Sequence, residues 1–440
     1  MKSCGFPLGN IGIVVSVILI ATWLMILPCM AAGPLWTYPY DNKDVHSIVI
    51  APDGSYVIAG AGKILVFTRD GTLVQKAAYG DEVVQTPDGS SVATAYSASV
   101  YMFSMTTDAS NRPILQKRWE ADLPDQVGSI SMDDFAYRVA ALTKTGAVTV
   151  YNGTSGEVVG RSTNYSAVLA VSPYAYRITG LSLNEGLKIF NYNGEIDREN
   201  AEIQISSQPT NLVAIDEGVF VYNDGQNIVA INTTFPENGT QVWKAKINGF
   251  VNVLAQTTGH DYIVVGTENG SVELFSSDGD RIWSYQSRTG TGSSQGIRDV
   301  AITSDASRIL AGSYDGKVIM LDNNGNALWT YTLPKEHIWH VAIASGGSLA
   351  AAAGDRGLYV FLPDQDVATV TDTPTPVPSS VEQQGGPEAS PSPSSAVVTP
   401  KTTSTEYAII RTAKTPLSPM TTVFALLLIL SFVCLRRGSG

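Results

Sequence analysis

From residue 30 to residue 433 the chain has no cysteine; its three, Cys4, Cys29 and Cys434, lie in or beside hydrophobic ends. That excludes disulfides, Cys-based zinc sites and a thiol nucleophile from everything between. Charge is also scarce. Asp, Glu, Lys and Arg make up 15 % of the residues, against ~25 % in a typical domain. Basic charge is the scarcer sign. With Lys2 and the Arg436-Arg437 pair set aside, 25 basic residues face 40 acidic ones, a net charge of −15. Such a surface repels nucleic acid, which is held through basic patches. It suits an acidic cell envelope. No H-E-x-x-H, P-loop or Cys/His cluster occurs. Gly292-Ser293-Ser294-Gln295-Gly296 satisfies G-x-S-x-G, but a nucleophile elbow needs a strand before it and a helix after it. The stretch reads as a loop, and no catalytic residue is assigned.

Long apolar runs are confined to the two ends. Lys2 precedes an apolar run from Ile11 to Leu27, Pro28 breaks it, and Ala31-Ala32-Gly33 follow. This basic, apolar, small-residue order is that of a signal peptide, with cleavage near Ala32. The length of the run leaves an uncleaved signal anchor open. Leu27-Pro28-Cys29 is a poor lipobox. At the other end, Met420 to Leu435 is almost wholly apolar and Arg436-Arg437 follow at once. With Leu417 to Pro419 added, the segment approaches the ~20 residues of a transmembrane helix, and the Arg pair predicts a cytoplasmic tail. Everything between the ends is then expected outside the cell membrane. From Thr371 to Thr405 the chain is built largely of Thr, Pro and Ser without apolar periodicity. It forms no core and reads as an extended stalk, either O-glycosylated or an undecorated linker. The expected organisation is a signal peptide or anchor over 1–32, a folded region over 33–363, a stalk over 364–415, a membrane or sorting segment over 416–435 and a tail over 436–440.

What is abundant is turn and strand chemistry in repeats. Asn269 to Tyr285 (NGSVELFSSDGDRIWSY) and Asp315 to Tyr331 (DGKVIMLDNNGNALWTY) place Gly270/Gly316, Gly279/Gly325, Trp283/Trp329 and Tyr285/Tyr331 at identical offsets. Each reads as strand, Gly-containing turn, strand. Weaker copies recur at Gly62–Gly71, Gly146–Gly156, Gly186–Gly194, Asp224–Trp243 and Arg356–Phe361. Each copy follows an apolar strand, and eight such starts (Val45, Val83, Gly128, Val168, Thr210, Val251, Arg298 and Trp339) are spaced 38 to 47 residues apart. Four short strands per ~42 residues is the period of a β-propeller blade. The last unit lacks its W-x-Y strand, and a spare one, Leu35-Trp36-Thr37-Tyr38, precedes the first. Pairing it with Leu358–Leu362 would close the ring. The expected fold is an all-β, eight-bladed propeller. Seven blades is the alternative if the Val83 or Val168 unit is misread.

The D-G-x-V-x-x-L-D-x-x-G-x-x-L-W pattern at Asp315–Trp329 resembles the PQQ-like repeat of quinoprotein propellers, and the A-P-D-G and A-I-T-S-D turns resemble those of WD40-type propellers. The whole layout resembles surface propeller proteins of methanogenic archaea. Thr415-Pro416-Leu417-Ser418-Pro419, the apolar run and the Arg pair are similar to a tripartite archaeal sorting signal, which implies cleavage and lipid attachment. The quinoprotein resemblance would imply a calcium-bound quinone on the ring axis. Short loops and the missing vicinal Cys pair argue against it, and no cofactor is expected.

Trp36, Trp119, Trp243, Trp283 and Trp329 recur at one place in the repeat. Repetition assigns them to inter-blade packing. The sequons at Asn152, Asn164, Asn232, Asn238 and Asn269 lie near expected turns and are candidate glycosylation sites. His337 and His340, with Glu336 beside them, are assigned to packing at a blade top rather than to a metal. Asp322-Asn323-Asn324-Gly325-Asn326 has calcium-like oxygen spacing but lacks the bidentate Glu and reads as a turn. The sum is a non-enzymatic, membrane-tethered, extracellular binding or scaffolding module with an envelope protein or glycan as partner. The alternatives are an envelope-glycan-processing or quinoprotein-like enzyme working in the propeller funnel, and an envelope assembly factor. Acids and His clustered at one axial mouth would favour the enzyme; a flat aromatic patch on one face would favour protein binding.

Overall fold

A computed structural model describes residues 33–364, apart from 41–44, 78, 164, 166–168, 176, 183–185, 192–208, 235–238, 288–295 and 334. The signal, sorting segment, tail and all but the first residue of the expected stalk lie outside the described residues, as do Asn164, Asn238 and Gly292–Gln295. Contacts divide the chain into two compact units, residues 1–379 and 380–440; everything below belongs to the first.

The strands fall into eight sheets. Sheet 1 runs from strand Ser47–Ile50 to Leu73–Lys76, sheet 2 from Glu82–Gln85 to Pro113–Asp122, and sheet 3 from Val127–Met132 to Val158–Ser162. Sheet 4 runs from Leu169–Val171 to Gly186–Asn191, and sheet 5 from Leu212–Ala214 to Gln241–Lys246. Sheet 6 runs from Val251–Gln256 to Arg281–Gln286, and sheet 7 from Ile297–Ile302 to Ala327–Thr332. Sheet 8 runs from Ile338–Ile343 to Gly357–Phe361 and takes its outer strand, Trp36–Pro39, from the other end of the propeller. Trp36 lies opposite Val360 and Pro39 opposite Gly357. Each sheet is an antiparallel meander, and the first strands of successive sheets touch in order until that of sheet 8 meets that of sheet 1. This is a closed β-propeller. Against the eight blades expected, seven are complete with four strands, while sheet 4 has three. Sheet 4 is the Val168 unit, one of the two weak repeats, and its fourth-strand position falls in 192–208, outside the described residues.

Position in the sheet dictates the residue pattern. Second and third strands are covered on both faces by neighbouring sheets, so they read as continuous apolar runs: Tyr56–Gly60, Ile64–Thr68 and Ala350–Gly354 are buried almost throughout. Outer strands face solvent on one side and alternate, as Gln241–Lys246 and Arg281–Gln286 do. The core is therefore a ring of separate clusters, one at each sheet-to-sheet interface. One such cluster joins sheets 7 and 8 through Leu310, Met320, Trp329, Tyr331, Val341 and Phe361.

Two recurring bulges shape the propeller. In sheets 3, 6, 7 and 8 the pairing of first and second strands slips by one residue, leaving Gly128, Asn252, Arg298 and Trp339 as the extra residues. A second slip lies between third and outer strands. In sheets 2, 5, 6 and 7 the extra residues there, Arg118, Val242, Ile282 and Leu328, each immediately precede a tryptophan, while in sheets 1 and 3 they are Val74 and Val159. A bulge bends its strand and re-aims the following side chain. Val242, Ile282 and Leu328 stay exposed on the rim, and the tryptophans turn toward the next sheet.

Candidate functional site

The five tryptophans share one geometry. Trp36 Nε1 donates to the Arg69 carbonyl at 2.9 Å, Trp119 to Gly153 at 2.9 Å, Trp243 to Ser277 at 2.8 Å, Trp283 to Asn323 at 3.0 Å and Trp329 to Pro363 at 2.8 Å. Each acceptor belongs to the next sheet round the ring or, for Trp329, to the segment just after its last strand. For all but Trp329 the ring lies against a turn where only glycine fits. At Gly279, with φ +87°, an added Cβ would sit 2.5 Å from Trp243; at Gly325, with φ +79°, it would sit 2.7 Å from Trp283. The Asp322–Asn326 loop is this turn. Asp322 Oδ1 accepts the Asn324 and Asn326 N–H groups at 2.9 and 2.8 Å, so the carboxylate serves the turn. Among the sequons, Asn152 Oδ1 caps the N–H groups of Thr154 and Ser155, Asn232 Oδ1 takes the Thr234 N–H and hydroxyl, and Asn269 Oδ1 accepts from the Thr267 hydroxyl. All three are half-buried, Asn152 and Asn232 as the last residues of strands and Asn269 in a turn.

The axis has two mouths. At the one where the first strands begin, polar side chains reach sideways to the backbone edge of the neighbouring first strand. Ser47 Oγ accepts the Val83 N–H at 2.8 Å, Glu82 Oε2 accepts that of Ile130 at 3.2 Å, and Asp299 Oδ2 accepts that of Val341 at 2.8 Å. Asn211 and Asn252 donate to the carbonyls of Asn252 and Ile297. The first strand of a sheet has a free edge, and these caps satisfy it. Burial pushes the Glu82 and Asp299 carboxyls up to about 7, against the pull of the same backbone N–H groups. His340 Nδ1 lies 3.8 Å from Asp299. Burial, with His46 nearby, pulls His340 down to about 4.

The bulges separate His340 from His337. His337 leaves the axis, its ring centroid 4.0 Å from that of Tyr314 and its Nδ1 2.8 Å from Asp355. Trp339 Nε1 donates to the same carboxylate at 2.6 Å, and the Arg298 guanidinium lies 4.9 and 5.3 Å from the Tyr314 and Trp339 rings. Arg298 and Trp339 are themselves bulge residues. Glu336 belongs to neither group: it is buried, accepts from the Tyr359 hydroxyl at 2.9 Å, and burial raises its carboxyl.

The other mouth lies where the first strands end. A cavity of 250 Å³ is lined there by Ile50, Gln85, Met132, Gln256, Ile302 and Ile343 at matching strand ends, with Asp134 and His260 above. His260 sits at φ +62° and spans the mouth. Its Nε2 is 3.0 Å from Asp134 Oδ2 of sheet 3, with sheets 4 and 5 between, and its Nδ1 is 3.0 Å from the Ala214 carbonyl and 2.9 Å from the Gln256 amide nitrogen. Burial pulls the imidazole down, and the Asp134 hydrogen bond and charge outweigh it, leaving it above its ordinary value. Beside the cavity, Phe135, Tyr137 and Tyr174 are 52–55 % exposed and stack on one another, with Phe135 centred 5.6 Å from Tyr137 and 5.3 Å from Tyr174.

The chain has four histidines, His46, His260, His337 and His340, but nothing in the sequence names their partners. Glu82 and Asp299 carry a signal it could have used: each is the polar residue at the head of an apolar first strand, where the repeats align. The Asp134–His260 contact carries none, since nothing in a one-dimensional period says which turns meet across an axis. Among the described residues no group of three or more His, Cys, Asp or Glu could hold a metal ion, and no helix is long and apolar enough to cross a membrane.

Residues 144–371, just over half of the chain, match the family model described as "Outer membrane protein assembly factor BamB". No curated protein matches the sequence. Among solved structures, Sqt1 of Chaetomium thermophilum superposes with a TM-score of 0.61 at 12 % identity, over 75 % of this chain and 98 % of that one. Sqt1 has also been solved bound to the N-terminus of the ribosomal protein L10, with the same TM-score and identity, over 75 % and 99 % of the two chains. The C-terminal WD40 domain of Sif2 superposes at 0.57 and 11 % identity, over 74 % of this chain and 99 % of that one. At such identities the likeness is one of fold.

Proposed function

Since the chain belongs to the family of outer membrane protein assembly factor BamB, we propose that it acts as a non-enzymatic protein-binding scaffold of the cell envelope. The observation that carries this reading is the stacked trio Phe135, Tyr137 and Tyr174 on turns of adjacent sheets. Three contiguous aromatics more than half exposed keep apolar surface in water, and such patches mark docking sites rather than fold requirements. A rigid ring presents them without ordering cost. The family description and the L10-bound Sqt1 structure support protein as the partner class. The terminal apolar segments support tethering, with the propeller outside the membrane.

A double substitution, Phe135→Ser with Tyr174→Ser, is expected to abolish capture of partners from envelope extract by the full chain, with the unfolding midpoint unchanged within a few degrees. Capture at wild-type levels would sink the reading. Deleting Leu417–Gly440 is expected to release the protein from membranes; retention would move the anchor to the N-terminal segment.

A second reading, an envelope-glycan-processing enzyme, draws on the acids and histidines at the starting mouth. Glu82 and Asp299 there already cap backbone edges, which favours a structural role. Glycan turnover by the purified chain, lost in Asp299→Asn, would favour the enzyme.

A further inference from the structure

Two of the bulge residues meet on the face of the starting mouth. Arg298 and Trp339 are the extra residues in the first strands of sheets 7 and 8. A bulge re-aims its side chains, and both of these reach Tyr314, on the turn between the second and third strands of sheet 7. The Tyr314 and Trp339 rings stand at 86° to each other with centroids 5.8 Å apart. Arg298 Cζ lies over both, 4.9 Å from the first centroid and 5.3 Å from the second. Asp355 orients the surroundings. Its Oδ1 accepts the Trp339 Nε1–H at 2.6 Å, and its Oδ2 accepts the His337 backbone N–H and meets His337 Nδ1, both at 2.8 Å. Both oxygens are thereby engaged.

Other arginines spend their donors inside the fold. Arg112, Arg281 and Arg308 reach carboxylates at 2.7, 3.2 and 2.8 Å. Arg69 donates to carbonyls and Arg118 to hydroxyls. At the corresponding bulge position of sheet 6, Asn252 donates to the Ile297 carbonyl of sheet 7. Arg298 does none of this. It is exposed, and among the described residues no carbonyl, hydroxyl or carboxylate accepts from its guanidinium. In a chain with 40 acidic and 28 basic residues, this arginine is held by two rings and by no acid.

The chemistry of the cluster selects the ligand. Aromatic faces attract cations, but here a guanidinium already covers them and repels a second cation. A guanidinium presents N–H donors in a planar fork that matches a carboxylate. One positive charge, with Asp355 in the same cluster, balances one negative charge and not the two of a phosphate.

Resting on the reading of the chain as a protein-binding scaffold, we propose that Arg298 is a docking point for a carboxylate of the partner. The guanidinium takes both oxygens, and Tyr314 and Trp339 hold it in place. The carboxylate is that of an acidic side chain or of a chain terminus. Stacking removes in advance the side-chain freedom that an exposed arginine otherwise loses on binding. The site lies at the mouth opposite the aromatic trio, so the propeller has one docking point on each face.

The test is ligand-observed NMR on the full chain in detergent. The probes are Nα-acetyl-glutamate methylamide with its neutral counterpart Nα-acetyl-glutamine methylamide, Nα-acetyl-alanine with the neutral Nα-acetyl-alanine methylamide, and Nα-acetyl-phosphoserine methylamide. Saturable binding of a carboxylate probe, at least fivefold tighter than its neutral counterpart and weakening as salt is raised, is expected. The glutamate probe alone would assign the site to a partner's acidic side chain; acetyl-alanine alone would assign it to a partner's C-terminus. Arg298→Ala is expected to remove the binding. Arg298→Lys, which keeps the charge but not the fork, is expected to weaken it at least threefold. Both variants should unfold at the parent's midpoint, because the side chain is exposed. Equal binding of carboxylate and neutral probes, or none, would overturn the proposal. So would carboxylate binding unmoved in either variant, or phosphoserine binding more than tenfold tighter than glutamate. The Phe135/Tyr174 variant is expected to keep the carboxylate binding, so failure of the trio and failure of this site are read in different proteins.

Discussion

Replacing Trp329 by alanine is expected to lower the unfolding free energy by about 3–5 kcal/mol, read as a shift in denaturant midpoint at constant slope. Trp329 is 4 % exposed, packs against Phe361 with ring centroids 5.4 Å apart and donates to the Pro363 carbonyl. Its removal opens a cavity between sheets 7 and 8 and strands a buried carbonyl. Trp329→Phe keeps most of the packing and loses the N–H, so about 1 kcal/mol should go. Trp283 repeats the geometry but is more exposed, and its hydrogen bond to Asn323 lies in solvent. Trp283→Ala should therefore cost clearly less. Equal losses at the two positions would mean that burial does not set the strength of this contact, and the packing account would fail.

The second large effect is on pH dependence. Glu82 titrates at about 7 in the folded protein, from an ordinary 4.5, because burial disfavours its charge. A carboxyl raised on folding binds its proton more tightly folded than unfolded. It therefore takes stability away as pH rises from 4.5, and the loss is complete only above 7. The full shift corresponds to about 3 kcal/mol, and partial access to the axial channel reduces this to about 1–3 kcal/mol. Glu82→Gln stays neutral and keeps an oxygen for the Ile130 N–H. Its stability should change less than that of the parent between pH 5 and 8 and exceed it at pH 8. His340 acts in the opposite direction, losing stability as pH falls from 6.5 toward 4, but it is common to both proteins and drops out of the difference. Parallel pH–stability curves would show that Glu82 ionises freely in the fold.

The repeats made the ring readable before any coordinates. Gly270/Gly279 and Gly316/Gly325 are separated by the length of a hairpin strand and its turn, and both turn glycines require positive φ. The spare Trp36 strand follows from the missing one at the end; its register, Trp36 to Val360 and Pro39 to Gly357, is close to the one expected. Sheet 4 is where the reading is weakest, because no tryptophan follows the copy at Gly186–Gly194 to mark a further strand in the sequence. The candidate sites were less legible, for a different reason. A bulge adds one residue to one strand, and a period of about 42 residues that already varies by several cannot register it. Yet that residue decides that Arg298 and Trp339 join Tyr314, while Asp299 and His340 meet at the axis. The exposed trio was hidden because Phe135, Tyr137 and Tyr174 sit in turns, where aromatic residues carry no periodic signal.

The closing strand has a consequence for how the protein comes into being. Trp36–Pro39 is made near the start of synthesis, and its partner Gly357–Phe361 near the end. Until the last repeat emerges, sheet 8 has no third strand and the ring stays open with two raw edges. Nothing short of the whole array can close. A polypeptide stopped before Phe361 keeps those edges available to chaperones and proteases, so closure reports that the whole array of repeats has been made.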